Sequence, residues 1–143
     1  MKGVMTMLVR NCAGGVVFNN DKVLLLMNEK HEWVFPKGVM RTGDFPDEVA
    51  VKRVLVEAGV KARIISAAGR TNYEFYSISR QRPVANKIVW YIMTTDQDNV
   101  IPNEAQSFSE GGFFTVEEAI EKVTYSQDKS LLMLSYQKYK ELV

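Results

Sequence analysis

Cysteine is nearly absent: Cys12 stands alone among 143 residues, so no internal disulfide can staple the chain. Its surroundings, Cys12-Ala13-Gly14-Gly15-Val16-Val17, read as an apolar strand, which gives the thiol a packing role rather than a reactive one. An excess of either charge is also missing. Eighteen Lys and Arg against seventeen Asp and Glu leave +1, which excludes the whole-molecule attraction that holds a general binder to a nucleic-acid polymer. Any basic site must be local. No apolar run approaches the roughly 20 residues that span a bilayer, and Met1 to Val9 lacks the apolar core and small-residue cleavage site of a secretory leader. The expectation is a soluble cytoplasmic protein with no membrane partner. Proline is confined to Pro36, Pro46, Pro83 and Pro102, and no repeat, low-complexity tract or linker breaks the chain. One domain over residues 1–143 is expected, with a sizeable core at 46% hydrophobic residues.

What the chain does have is periodicity. Val16 to Phe18 and Val23 to Met27 flank Asn19-Asn20-Asp21-Lys22, a composition that favours a tight turn, so the two runs read as a hairpin. Asp44 to Ala58 reads as a helix, with Asp44 a suitable N-cap, Pro46 in the first turn and Gly59 just past the end. On a helical wheel Ala50, Val51, Val54, Leu55 and Ala58 form the core stripe, with Val49, Lys52, Arg53, Val56 and Glu57 on the other face. Val60 to Ala68, Thr71 to Ser79 and Lys87 to Thr94 are rich in β-branched and aromatic residues and read as strands. Ile88 to Met93 is apolar on both faces, which predicts a central strand. Phe113 to Val116 makes another short strand and Glu117 to Lys122 a short helix. Ser126 caps a last helix that turns Leu131, Leu134, Tyr139 and Leu142 inward. Gln81 to Asn86 and Asp96 to Ser109 read as polar loops, the second either a solvated connection or a substrate-facing segment. This order implies an α+β fold, a mixed sheet packed between helices as an α-β-α sandwich.

Gly38 to Val60 runs as a loop, a helix and a glycine stop, and its spacing resembles the Nudix box, G-x5-E-x7-R-E-U-x-E-E-x-G-U. Gly38, Val54, Glu57, Gly59 and Val60 agree with that pattern, with Asp44 in place of its first glutamate and Lys52 in place of its arginine. Arg53 and Val56 stand where the pattern has helix glutamates, so Glu57 alone remains of three. A second stretch, Trp33-Val34-Phe35-Pro36-Lys37-Gly38, resembles the W-x-F-P-K-G approach of members acting on diadenosine and diphosphoinositol polyphosphates. The likeness extends through Thr71 to Tyr76, Lys87 to Tyr91 and Phe113 to Ala119, and spans about Cys12 to Leu132.

The resemblance implies a Nudix fold and metal-assisted attack of water on a polyphosphate, with clustered carboxylates holding Mg²⁺ or Mn²⁺. It implies Glu57 as a metal ligand with the Gly38 backbone nearby, and Glu110 or Glu104 as the added catalytic carboxylate. Lys37 would touch phosphate, while Tyr73, Tyr76 or Tyr125 would either stack on a base or simply pack. Arg53 has two readings. It forms an ordinary i, i+4 salt bridge with Glu57, or it joins Lys52 as a cation for phosphate where metal would otherwise sit. His31 lies in a polar stretch, where it reads as a general base near a substrate or, more readily with no partner in view, as a solvated loop residue. Three functions follow: a binder of a small phosphorylated ligand with hydrolysis weakened or lost, needing no cofactor, an active Mg- or Mn-dependent (di)nucleoside polyphosphate hydrolase, or a non-catalytic scaffold.

Overall fold

The structure is a computed structural model and describes residues 6–143. Alternation between the two faces of a strand organises it. β1 (Leu8–Asn19) and β6 (Arg82–Thr94) run parallel in the middle of the sheet, from Leu8 opposite Val84 to Phe18 opposite Thr94. β5 (Arg63–Ser77) pairs antiparallel with β6 on the outer side. On the other side β1 meets β4 (Lys37–Val39) with its middle, Cys12 to Gly14, and β2 (Lys22–Met27) with its last residues. β2 in turn carries β3 (Trp33–Val34) and β7 (Glu110–Thr115), giving a mixed seven-stranded sheet.

Both faces of this sheet are covered. One packs Ala13, Val17, Leu26 and Met93 against Ala50, Val54 and Ala58 of α1 (Pro46–Ala58). The other packs Val16, Phe18, Trp90 and Ile92 against α2 (Val116–Lys122) and α3 (Ser126–Leu142). The α+β architecture and the central placement of Ile88 to Met93 are as the sequence implies, and the β1–β2 hairpin closes through Asn20 and Asp21.

Several expectations need correction. The two strands expected over Val60 to Ser79 are one, β5, bent by register shifts at Ile64/Ser66 and Ala67/Gly69. Gly69, at φ +146°, supplies the backbone freedom that keeps the strand continuous. Gln81 to Asn86 is mostly strand, because Arg82 to Asn86 complete the ladder with β5. The α1 N-cap is Phe45, not Asp44, whose carboxylate instead accepts from Arg41 N–H at 2.8 Å to close the preceding turn. Ser126 is the first residue of α3 rather than its cap, and Leu134, at 66% exposure, and Leu142 face outward. The inward face of α3 takes Asp128, Leu131, Leu132, Ser135 and Tyr139. On α1, Leu55 lies outside the core and Glu57 within it.

Candidate functional site

Burial of Glu57 follows from the rotation of α1, and it sets the chemistry of the site. Only 3% of Glu57 is exposed, and both of its oxygens are engaged. Oε2 accepts from Arg53 Nε at 3.1 Å and Nη2 at 2.6 Å, and Oε1 accepts from the Lys37 backbone N–H at 3.3 Å. Burial raises the Glu57 pKa, while Arg53 and Lys37 pull it back. The Arg53 stem lies across Gly38, where an added Cβ would sit 2.5 Å from Arg53 Cδ. Gly38 is therefore the residue that lets the guanidinium reach its seat. Arg53 Nη2 also donates to Gln106 Oε1 at 3.1 Å, tying α1 to the long loop.

That loop is docked along the end of α1 rather than solvated. Asn103 N–H and Ile101 N–H donate to the carbonyls of Glu57 and Ala58 at 3.0 and 2.9 Å. The Asn103 side chain donates to Val56 O at 2.9 Å and Gln97 Nε2 to Gly59 O at 2.7 Å. Carbonyls that a helix end leaves without partners are thus satisfied by the loop. Asn103 Oδ1 also accepts from Ala105 N–H, capping the short 3-10 turn Glu104–Gln106. Asn103→Ala is expected to destabilise the protein by about 1–2 kcal/mol, measured by urea denaturation.

Beside this latch opens a cleft of about 570 Å³ whose walls include Arg10, Lys30, Glu32, Lys37, Tyr73 and Tyr125. Gln106 and Ser107 bring the docked loop to its rim. Tyr73 and Tyr125 stack on each other, centroids 5.4 Å apart and rings 16° from parallel. Burial acts to raise the Glu32 pKa, but hydrogen bonds from Tyr125 and Asn28 and the charges of Lys30 and Lys37 override it and lower the value. The Tyr125 hydroxyl is pushed up by burial and by Glu32. Beneath the two tyrosines Asp128 borders a hollow of about 10 Å³ with Lys37 and Trp90. Burial pushes its carboxyl up to about 6, against a smaller lowering by Lys37.

Of the residues expected from sequence, Lys37, Tyr73 and Tyr125 line the cleft, and Gly38, Arg53 and Glu57 form its adjoining latch. Tyr76 does not join them, because it alternates to the opposite face of β5 and is 55% exposed. Lys52 faces a separate groove with Val51 and Leu55. Glu104 and Glu110 are exposed and absent from the cleft wall. His31 sits exposed in a turn at φ +59° and does not line the cleft, although its neighbours Lys30 and Glu32 do. Arg10, Glu32, Asn86, Gln106 and Asp128 were not anticipated. Arg10 and Asn86 have a sequence signal in retrospect, since each precedes a buried residue of the same strand face, Cys12 and Ile88, by two.

This three-layer fold with a loop–helix latch beside a cleft defines a Nudix-type protein. The NUDIX domain model matches residues 9–134, and the chain belongs to this family. A relative named mutator protein MutT4, from Mycobacterium tuberculosis (strain CDC 1551 / Oshkosh), is 22% identical over 99 residues. That match takes in 69% of this chain but 39% of the relative's length. Among solved structures, an Ap4A hydrolase of C. elegans superimposes with a TM-score of 0.69 at 19% identity, covering 92% of this chain and 98% of that one. The dihydroneopterin triphosphate pyrophosphohydrolase of E. coli gives 0.71 at 13% identity, over 87% and 94% of the two chains. An ADP-ribose pyrophosphatase of Streptococcus suis 89-1591 gives 0.66 at 19% identity, over 91% of each.

The divalent metal that the family implies needs several oxygen ligands converging on one point. Among the described residues no group of three His, Cys, Asp or Glu side chains converges in this way. The one box glutamate is covered by a guanidinium and a backbone N–H. The residues present do not fit that metal.

Proposed function

We propose that this Nudix protein binds a nucleoside-polyphosphate-type ligand in the cleft, with metal-dependent pyrophosphate hydrolysis weakened or lost. The observation that carries the reading is the Arg53 guanidinium, seated on Gly38 and bonded to Glu57 Oε2 at 2.6 and 3.1 Å. A fixed cation there attracts phosphate oxygens without activating a water. Lys37 carries a second positive charge from the latch to the cleft, and Tyr125, with Tyr73 stacked on it, adds aromatic surface suited to a base to the same wall. Val56, at the other glutamate position, contributes no oxygen ligand from its side chain. Three structural neighbours named for phosphorylated small molecules support the ligand class.

The test incubates the protein and its Arg53→Glu/Val56→Glu variant with Mg²⁺ or Mn²⁺ and a panel of dinucleoside polyphosphates, nucleotide sugars and nucleoside triphosphates. Binding without metal is expected of the unmodified protein in calorimetry, weakened at least several-fold by Arg53→Ala. Metal-dependent turnover is expected to rise only in the double variant. Fast metal-dependent turnover by the unmodified protein would defeat the reading.

A further inference from the structure

Arg10, Asn86 and Tyr73 form one row across three strands. Arg10 on β1 is the register partner of Asn86 on β6, which is in turn the partner of Tyr73 on β5, and all three line the cleft. Arg10 Nε and Asn86 Oδ1 are buried without a hydrogen-bond partner, and Asn86 as a whole is 4% exposed. The only other such atom among the described residues, Ser135 Oγ, lies on α3 outside the cleft wall. Buried polar atoms are nearly always paired, so two orphans side by side in a cleft mark a place where a ligand supplies the partners.

The third member completes a pattern. Asn86 Nδ2 donates to the Tyr73 hydroxyl at 3.1 Å, which uses the hydroxyl oxygen as acceptor and leaves its proton free to be donated. The Tyr73 ring is held between Tyr125 and Phe75, at centroid distances of 5.4 and 6.2 Å, so the direction of that hydroxyl is fixed. With Nδ2 committed to the Tyr73 hydroxyl, Oδ1 is the free atom of the Asn86 amide, and it can only accept. Along the row the side chains therefore offer a donor, an acceptor and a donor.

The complement is a planar edge of acceptor, donor, acceptor. A cyclic imide, with an N–H between two carbonyls, has this edge. Uracil, thymine and the flavin ring carry it, whereas cytosine, adenine and guanine each present a different order. We propose that the Arg10–Asn86–Tyr73 row recognises the imide edge of a heterocyclic ligand, with Arg10 and Tyr73 donating to its two carbonyls and Asn86 Oδ1 accepting from its N–H. This rests on the reading of the cleft as a nucleotide site.

The test is calorimetry on the full chain without added metal, at one ionic strength, with UDP, dTDP, CDP, ADP and FMN. UDP and dTDP are expected to bind about tenfold or more tightly than CDP and ADP, the discrimination that a well-placed multidentate edge gives. The same preference held by FMN instead assigns the imide to a flavin source. Methylation of UDP at N3 is expected to reduce its affinity to that of CDP, a control that requires no change to the protein. Tyr73→Phe should narrow the UDP/CDP ratio, and Asn86→Ala should abolish it. Equal affinities for UDP and CDP overturn the imide assignment while leaving the nucleotide site standing. Absence of binding by all five overturns both.

Discussion

Asp128→Asn is expected to make the protein more stable at pH 8, by about 2 kcal/mol, and to leave it nearly unchanged at pH 4. Asp128 is 8% exposed, with Lys37 as the cation that lowers its pKa. Burial outweighs that attraction and pushes the native carboxyl up from 3.8 to about 6. The folded protein therefore keeps a proton that the unfolded chain releases near pH 4. Between those values the native state binds more protons, so stability falls as pH rises and is constant above the native pKa. A displacement of roughly two pH units corresponds to about 3 kcal/mol. Asparagine has no charge to desolvate, so it removes this loss. It also gives up the favourable placement of a negative charge in the first turn of α3, about 0.3–1 kcal/mol, which leaves the net gain near 2. Urea denaturation at pH 4 and pH 8 measures it. A wild-type stability that stays flat from pH 4 to 7 would show that Asp128 is ionised throughout.

The residues of this site differ in how visible they are in sequence, and the reason is the same in each case. Gly38, Arg53, Glu57 and Lys37 are close in a loop–helix segment, where spacing fixes relative position once the helix is recognised. The Arg53–Glu57 contact follows from its i, i+4 spacing, whereas the Lys37–Glu57 bond joins β4 to α1 across 20 residues and depends on how the helix docks. Arg10, Asn86 and Tyr73 become neighbours only through the registers of β1 with β6 and β6 with β5, and no local rule determines those registers. The inward rotation of Glu57 was hidden for a related reason. A wheel drawn on apolar residues places a glutamate outside, whereas this carboxylate turns in to meet the Arg53 guanidinium and the Lys37 backbone N–H. Leu134 and Leu142 show the converse, since apolar residues on α3 face outward where Asp128 and Ser135 turn in. The hairpin turn and the Gly59 stop were legible because each needs a backbone conformation that few residues adopt, φ +54° at Asn20 and +68° at Gly59.

Arg53→Met is expected to cost about 2–3 kcal/mol of stability at pH 8, because it keeps the aliphatic stem on Gly38 and deletes the cation that faces Glu57. The lost bonds, at 2.6 and 3.1 Å, both end on an oxygen of a residue that is 3% exposed. What remains is the Lys37 backbone N–H at 3.3 Å and the more distant Lys37 charge, too little to hold a buried carboxylate ionised. Arg53 itself is 26% exposed in its side chain, which keeps the expected cost below the 3–5 kcal/mol typical of breaking a fully buried pair. The pH dependence has a definite sign. Burial already raises the Glu57 pKa with Arg53 in place, and without Arg53 it must rise further. The variant therefore recovers stability as pH falls and Glu57 takes up a proton, so the gap from wild type narrows on the acid side. Adding Glu57→Gln to Arg53→Met should restore most of the loss at pH 8, since a neutral amide no longer needs the guanidinium. If the double variant is no more stable than Arg53→Met alone, the destabilisation comes from the severed bond to Gln106, and Glu57 is not the group that depends on the cation.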